Sequence, residues 1–430
     1  MKIKLLYLFL IIFMIPRSLF SQNKNDEWFQ KGVDTKDPKE KIEYFTKSIE
    51  LTGPKPNAYN NRGLAKKALK DYPGASSDFS MAILLNPQHP LAYVNRASVE
   101  LILSDYQNAL SDVAKAIGIN PQDNRAYYYS ARAKENQKDY QGALIDYSKS
   151  IELAPKISSV YAYRGDIKSR LKDYRGAISD YCKAISIDSL KTDFYNNRGI
   201  SYQLLKVYDS AFWDYKKAID LDPQNKEAYY NIGNAKLNLK DYQGAILNYY
   251  KAIEIDPQYL DAFLNMGYAK KELKDYVGAI SDYNKVLELN PRRTGVYAFL
   301  STVYSLQKNY KAAIEFYKKS LLITPEDPGL LDNLGYAYFE TDKYDLAIEQ
   351  FIHCLKIENN PVVIDATLGL CLVYYSKNDK PNAIKYLNQA KLIKPILSKG
   401  MDGLKELMKE GFTYPDNQME LFKKIFTELK

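Results

Sequence analysis

Few side chains in this 430-residue chain could do chemistry, and most of those stand apart. His89 and His353 are the only histidines, and neither has a second ligand at metal-binding spacing. The three cysteines, Cys182, Cys354 and Cys371, form neither a disulfide framework nor a nucleophile–histidine pairing. No glycine-rich phosphate loop is present. The reading is therefore not an enzyme: no cofactor, no metal and no catalytic residue is expected. One pattern does recur. An arginine stands in "YNNRGLA" as Arg62, in "YVNRASV" as Arg96, in "YAYRGDI" as Arg164 and in "YNNRGIS" as Arg198. Sixteen residues after each comes an aspartate: Asp78, Asp112, Asp180 and Asp214. Guanidinium and carboxylate can close a two-pronged ion pair, and a partly buried arginine requires such a partner. The four pairs are expected to be structural, with ligand contact by the arginine as the alternative. Where the arginine is replaced by an apolar residue the aspartate usually goes too, as in Ile232 with Asn248, Leu300 with Phe316 and Leu334 with Gln350. Met266 with Asp282 and Ser130 with Asp146 break this rule.

Elements that position such pairs must themselves repeat. Pro87, Pro121, Pro155, Pro223, Pro257, Pro291 and Pro325 fall on a 34-residue clock, with Ser189 on the vacant beat. Units therefore start at 56 and every 34 residues thereafter to 328, and a tenth from 362 carries two extra residues and ends at Pro395. Position eight is small throughout, for example Gly63, Ala97, Gly165 and Gly199, and position twenty is alanine, for example Ala75, Ala143 and Ala211. One small residue per helix lets two antiparallel helices approach closely. Aromatic residues at positions four, seventeen and twenty-four fill the space around that contact. In "GAILNYYKAIEI" the residues Ala245, Tyr249, Ala252 and Ile253 share a helical face. Asp71, Asp105, Asp139, Asp173, Asp241 and Asp275 offer N-caps for the second helix. The closing proline ends each unit, since it lacks an N–H and disfavours helix just before it. Two such helices cannot bury a face alone; stacked, they share a continuous core.

This pattern resembles the tetratricopeptide repeat (TPR). The resemblance covers 56–395 as ten repeats, with 22–55 as a degenerate repeat at the front, in which Phe45 and Ile49 keep the phase. The tail, 396–430, loses the phase and reads as two capping helices around Gly411 to Pro415. The resemblance implies an all-α, right-handed superhelical solenoid whose first helices line a concave groove for a partner. At positions that face the groove in similar proteins stand Arg125, Tyr128, Arg132, Arg170, Asn196, Tyr230, Asn234, Tyr268 and Lys271. Amides can hydrogen-bond a peptide backbone, and tyrosine offers broad contact at low entropy cost. The expected function is a protein–protein interaction scaffold that binds an extended peptide or partner segment across 124–293. The alternative is a glycan- or cell-wall-binding module. Some relatives clamp carboxylate tails with basic and Asn residues on three successive helices, but no three consecutive repeats here reproduce that order.

Composition narrows the partners. The net charge is +8, of which Lys2, Lys4 and Arg17 lie at the amino terminus, and the remainder is interleaved with acids. That is a mixed surface rather than a nucleic-acid stripe. Lys2 and Lys4 precede an unbroken apolar run, Leu5 to Ile15, closed by Pro16 and Arg17. The run fits a secretory h-region and falls short of the roughly 20 residues needed to span a bilayer. Residues 1–21 are expected to be a signal peptide cleaved after Ser21, giving a periplasmic or envelope-associated protein with no membrane span. A secreted protein, or one held by an uncleaved amino-terminal anchor, is the alternative.

Overall fold

The computed structural model describes residues 27–411 and 414–429. The expected signal peptide, 1–21, lies outside them. The described residues form 24 α-helices, one short 3₁₀ turn and no strand. The chain divides into two compact units inside the helix Tyr208–Leu221, after Lys217. Each unit is an α-solenoid of antiparallel helix pairs joined by tight turns.

One pair from the first unit shows how the sequence writes the element. The helix Ser158–Arg170 is followed by Tyr174–Ile187. Between them Lys172 takes a left-handed backbone, φ 64°. That turn lets the Asp173 amide bond back to the Lys168 carbonyl at 2.8 Å, which satisfies an orphan carbonyl at the helix end. The Asp173 side chain then accepts the Gly176 amide at 2.9 Å and caps the next helix. The same arrangement recurs at Asp71, Asp105, Asp139, Asp241 and Asp275. Lys70, Ser104, Lys138, Lys206, Lys240, Lys274 and Lys308 hold the left-handed position ahead of each second helix. Glycine would be easier at every one of them.

Within a pair, the position-eight glycine lies flat against the position-twenty-four ring. A Cβ on Gly199 would sit 2.6 Å from Tyr215, and one on Gly233 2.5 Å from Tyr249. Tyr147, Tyr181, Tyr215, Tyr249, Tyr283 and Tyr317 are fully buried there. The front pair, Glu27–Asp34 and Pro38–Thr52, rebuilds this contact with Gly32 against Phe45 at 2.7 Å across a shorter link. In the second unit, Leu404, Leu407, Phe422 and Ile425 of the tail helices Met401–Met408 and Asp416–Glu428 join one core with Leu370 and Leu387 of the last repeat. Leu370 and Val373, at that repeat's apolar end, are buried there. Among the described residues no helix is long and apolar enough to cross a membrane.

Candidate functional site

The four arginines close their pairs across the helix hairpin and do more besides. Arg198 donates from Nε and Nη2 to the two Asp214 oxygens at 2.9 and 2.6 Å. Its Nη1 reaches the Cys182 sulfur, on the second helix of the preceding repeat, at 3.1 Å. Arg62, Arg96 and Arg164 repeat this pattern onto Asp78, Asp112 and Asp180, with Nη1 on Thr46, Ser80 and Ser148. Each guanidinium thus ties together three helices from two repeats. Burial works against the Arg198 charge, but the hydrogen bonds and field of Asp214 outweigh it and hold the guanidinium ionised. The same burial pushes the Asp214 carboxyl up, and Arg198 opposes that.

A second cation explains the two exceptions to the sequence rule. Position eleven carries Lys66 and Lys168, whose ammonium groups lie 2.9 and 2.7 Å from Asp78 and Asp180. Where no arginine precedes the aspartate, the same lysine neutralises it: Lys134 lies 2.7 Å from Asp146 and Lys270 2.7 Å from Asp282. A period-34 search for lysine, four residues after the arginine, would have found this partner.

The inner helices carry a second polar system. The buried tyrosines at position twenty-four donate their hydroxyls to position nine or twelve of the same repeat: Tyr147 to Glu135, Tyr181 to Asp166, Tyr215 to Gln203 and Tyr249 to Asn234. Position six of the next repeat then reaches back. Asn197 donates to Asp166 at 3.0 Å, and Asn265 donates to Asn234 at 2.9 Å and to the Tyr230 hydroxyl at 3.1 Å. Position six was missed as a polar position; it reads Asn61, Asn95, Asn197, Asn231, Asn265 and Asn333, with Tyr129 and Tyr163 between.

This network revises the expected groove lining. In the second unit the Asn234 carbonyl oxygen already accepts two hydrogen bonds. Tyr230 packs between Tyr249 and Tyr259, at 5.8 and 5.1 Å. Tyr268 is exposed with the Lys271 ammonium 4.4 Å from its ring centroid, and Lys271 also pairs with Glu272. In the first unit Asn196 is only 5% exposed, so it presents no surface to a ligand. Arg125 folds back onto its own helix cap, Asp123, at 2.7 Å, because both sit at the same helix start.

The first unit also holds Arg132 and Arg170. Arg132 lies 4.6 Å over the Tyr163 ring, with its Nε 3.5 Å from a Glu135 carboxylate oxygen and its Nη1 donating to the Tyr128 hydroxyl at 3.4 Å. Burial pushes the Tyr128 hydroxyl up to about 12, so it stays a neutral donor. One repeat on, Asp166, Ser169, Arg170, Tyr181, Asn197 and Ile200 line an open cleft of about 470 Å³. Arg170 is exposed there and makes no hydrogen bond or ion pair with a described residue.

Family profiles described as "Tetratricopeptide repeat" match residues 60–124, 158–189, 227–259, 260–293, 294–327 and 329–361, and one described as "TPR repeat" matches 207–240. A search of curated proteins returns no significant match. Among solved structures, the chain is similar to the C-terminal part of a TPR repeat-containing protein from Cytophaga hutchinsonii. There the identity is 19%, covering 56% of this chain and 99% of that one, with a TM-score of 0.46. It is also similar to YrrB, described as a TPR protein with an unusual peptide-binding site, at 21% identity, 45% and 97% coverage and a TM-score of 0.40. The hetero-tetramer Cut9–Hcn1 is similar over 93% of this chain and 95% of its own, at 17% identity and a TM-score of 0.40. At these TM-scores none of the three informs the reading of the cleft.

Proposed function

The chain belongs to the tetratricopeptide-repeat family, a family of protein–protein interaction scaffolds, and from that premise we propose that the first unit binds an extended segment of a partner protein along the cleft at Arg170. One observation carries this reading: Arg170 is an exposed guanidinium with no hydrogen bond or ion pair to a described residue, beside an open cleft lined by Asp166, Asn197 and Ile200. An open cleft on a repeat surface suits a long ligand better than a small one. Arg170 supplies two parallel donors for a partner carboxylate. Tyr163 of the same helix and Tyr128 of the preceding repeat supply rigid aromatic contact, where Arg132 already stacks. Arginine and tyrosine are the side chains enriched at such interfaces.

The work would be done at the cell envelope. The support is Lys2, Lys4 and the apolar run from Leu5 to Ile15. Mass spectrometry of the native protein should show a chain beginning near Gln22; an intact Met1 would overturn export.

The binding test is cross-linking in envelope extract with a photoreactive side chain at Ile200. A discrete partner protein should be captured, and Arg170→Glu should abolish its capture while the helical circular dichroism is unchanged. Capture that survives Arg170→Glu but is lost on deleting 396–430 would move the function to the tail. Cross-links to wall polymer instead of protein would favour the glycan-binding alternative.

A further inference from the structure

The second unit holds a cavity of quite different character. It has a volume of about 390 Å³ and lies between the helices Val296–Leu306, Pro328–Phe339 and the start of Asp416–Glu428. Asp332, Asp365 and Glu340 line it, with the rings of Tyr336 and Tyr414 and the amide of Gln418. No lysine, arginine or histidine does so among the described residues.

Two of these groups are buried acceptors with nothing to accept. Asp332 is 6% exposed and its Oδ1 has no hydrogen-bond partner among the described residues. Gln418 is 2% exposed, and its Oε1 likewise has none. The Gln418 orientation is set from the other end, because its Nε2 donates to Glu340 at 2.7 Å. With Nε2 committed to Glu340, the amide oxygen is the end left to accept. The other acid is placed by neighbours: the Tyr414 hydroxyl donates to Asp365 Oδ1 at 2.6 Å, and Tyr336 donates to the Asp365 carbonyl at 2.9 Å. A buried carboxylate with no counter-charge is costly, and native proteins pair such groups. The other buried aspartates each lie beside an arginine or lysine, whereas Asp332 has neither among the described residues.

We propose that this cavity binds an organic cation, an alkylammonium or guanidinium group, with Asp332 Oδ1 and Gln418 Oε1 accepting its N–H bonds. The missing partner must donate, since both orphans are acceptors. It must be positive, since three carboxylates face the space. An inorganic ion fits less well, because no three of these acids stand close enough to hold one. The tyrosine faces suit the apolar stem or the planar guanidinium of an organic cation. A volume of this size takes a small molecule or one side chain of a peptide. The cation could be a free amine or the lysine or arginine of a bound protein, and the chemistry of capture is the same.

Cation entry should also move a proton. Burial first, and the charge of Asp365 second, push the Asp332 carboxyl well above its usual range. The titratable groups lining the cavity with it are Asp365, Glu340 and the tyrosines Tyr310, Tyr317, Tyr336 and Tyr414, and the Cys354 thiol also feels its charge. A bound cation favours the ionised Asp332 carboxylate and should draw its titration back down. This inference stands apart from the first-unit cleft, and Arg170→Glu should leave it untouched.

The test is calorimetry on the full chain with cadaverine, agmatine, N-acetyl-lysine amide and N-acetyl-arginine amide, against 1,5-pentanediol and potassium as controls. At least one of the four cations should bind about tenfold or more tighter than the diol, with proton release and with affinity rising with pH. Preference for the free amines points to a small-molecule ligand, and preference for the capped amino acids to a peptide side chain. Asp332→Asn should lose binding by roughly tenfold or more while keeping the fold. Should that variant fail to fold, Asp332→Leu, which removes the buried charge with similar volume, provides the second reading. Equal binding of the diol, wild-type affinity in the Asp332 variant, or no binding of any cation at about 10 mM would each overturn the proposal.

Discussion

Glu100 stands at position eleven of its repeat, where Lys66, Lys134, Lys168 and Lys270 stand in theirs, and Glu100→Lys should stabilise the protein. The wild-type carboxylate is poorly placed. Its side chain is only 13% exposed, its Oε2 has no hydrogen-bond partner, and Arg96 is 3.8 Å away while committed to Asp112. Burial, then the charge of Asp112, pushes the Glu100 carboxyl up to about 7, with Asp105 adding to the rise and Arg96 opposing it. Since the folded value lies above the ordinary one of 4.5, the penalty is absent below that pH, grows between 4.5 and 7, and is full above. At pH 8 it is on the order of 2 kcal/mol. A lysine in this place would approach Asp112 as Lys66 approaches Asp78 at 2.9 Å and Lys168 approaches Asp180 at 2.7 Å. A hydrogen bond to a charged group contributes about 1.5–3 kcal/mol, trimmed toward 1 by partial exposure. The expected gain is thus about 2–4 kcal/mol at pH 8, shrinking by roughly half at pH 5. Glu100→Gln should recover the pH-dependent part alone. Repeat arrays often depart from two-state unfolding, so the assay is native-state hydrogen exchange of amides in Pro90–Ile102 and Tyr106–Ile119. A variant no better protected than wild type at pH 8, or one whose gain is equal at both pH values, would refute the reasoning.

Asp214→Ala strands Arg198 as a partly buried unpaired charge and should cost up to about 3–5 kcal/mol, whereas replacing both residues by apolar ones should cost much less; equal exchange in the single variant and wild type would contradict this. Lys172→Gly relieves the left-handed strain at φ 64° and should stabilise by about 0.5–1 kcal/mol, and a fall in melting temperature would contradict it. Cys182 is exposed, while burial pushes the Cys354 and Cys371 thiols up to about 11 and about 12. A maleimide should therefore label one thiol in the native protein and three after non-reducing denaturation, and a denatured count below three would reveal a disulfide.

Much of the architecture was legible because a repeat states each local rule many times over. Proline, the N-cap aspartates and the small residues at positions eight and twenty are local requirements, and a helix hairpin of constant geometry keeps residues sixteen apart within reach of each other. That is why Arg198 and Asp214 could be paired from spacing alone. The same regularity made Ser130 with Asp146 and Met266 with Asp282 look like failures, although Lys134 and Lys270 complete them. Spacing names the candidates within reach, but it does not say which of several reachable groups takes a given hydrogen bond. Asn234 and Tyr230 read as groove residues, yet Asn265 of the next repeat and the buried Tyr249 hydroxyl claim them. Asn196 sits in the right phase and is buried by its neighbours. The cavity at Asp332 was beyond any periodic reading, because Gln418 and Tyr414 belong to a tail without the period. Their approach to Asp365 and Glu340 spans 49 and 78 residues, a separation set by packing of the tail core and by no local propensity.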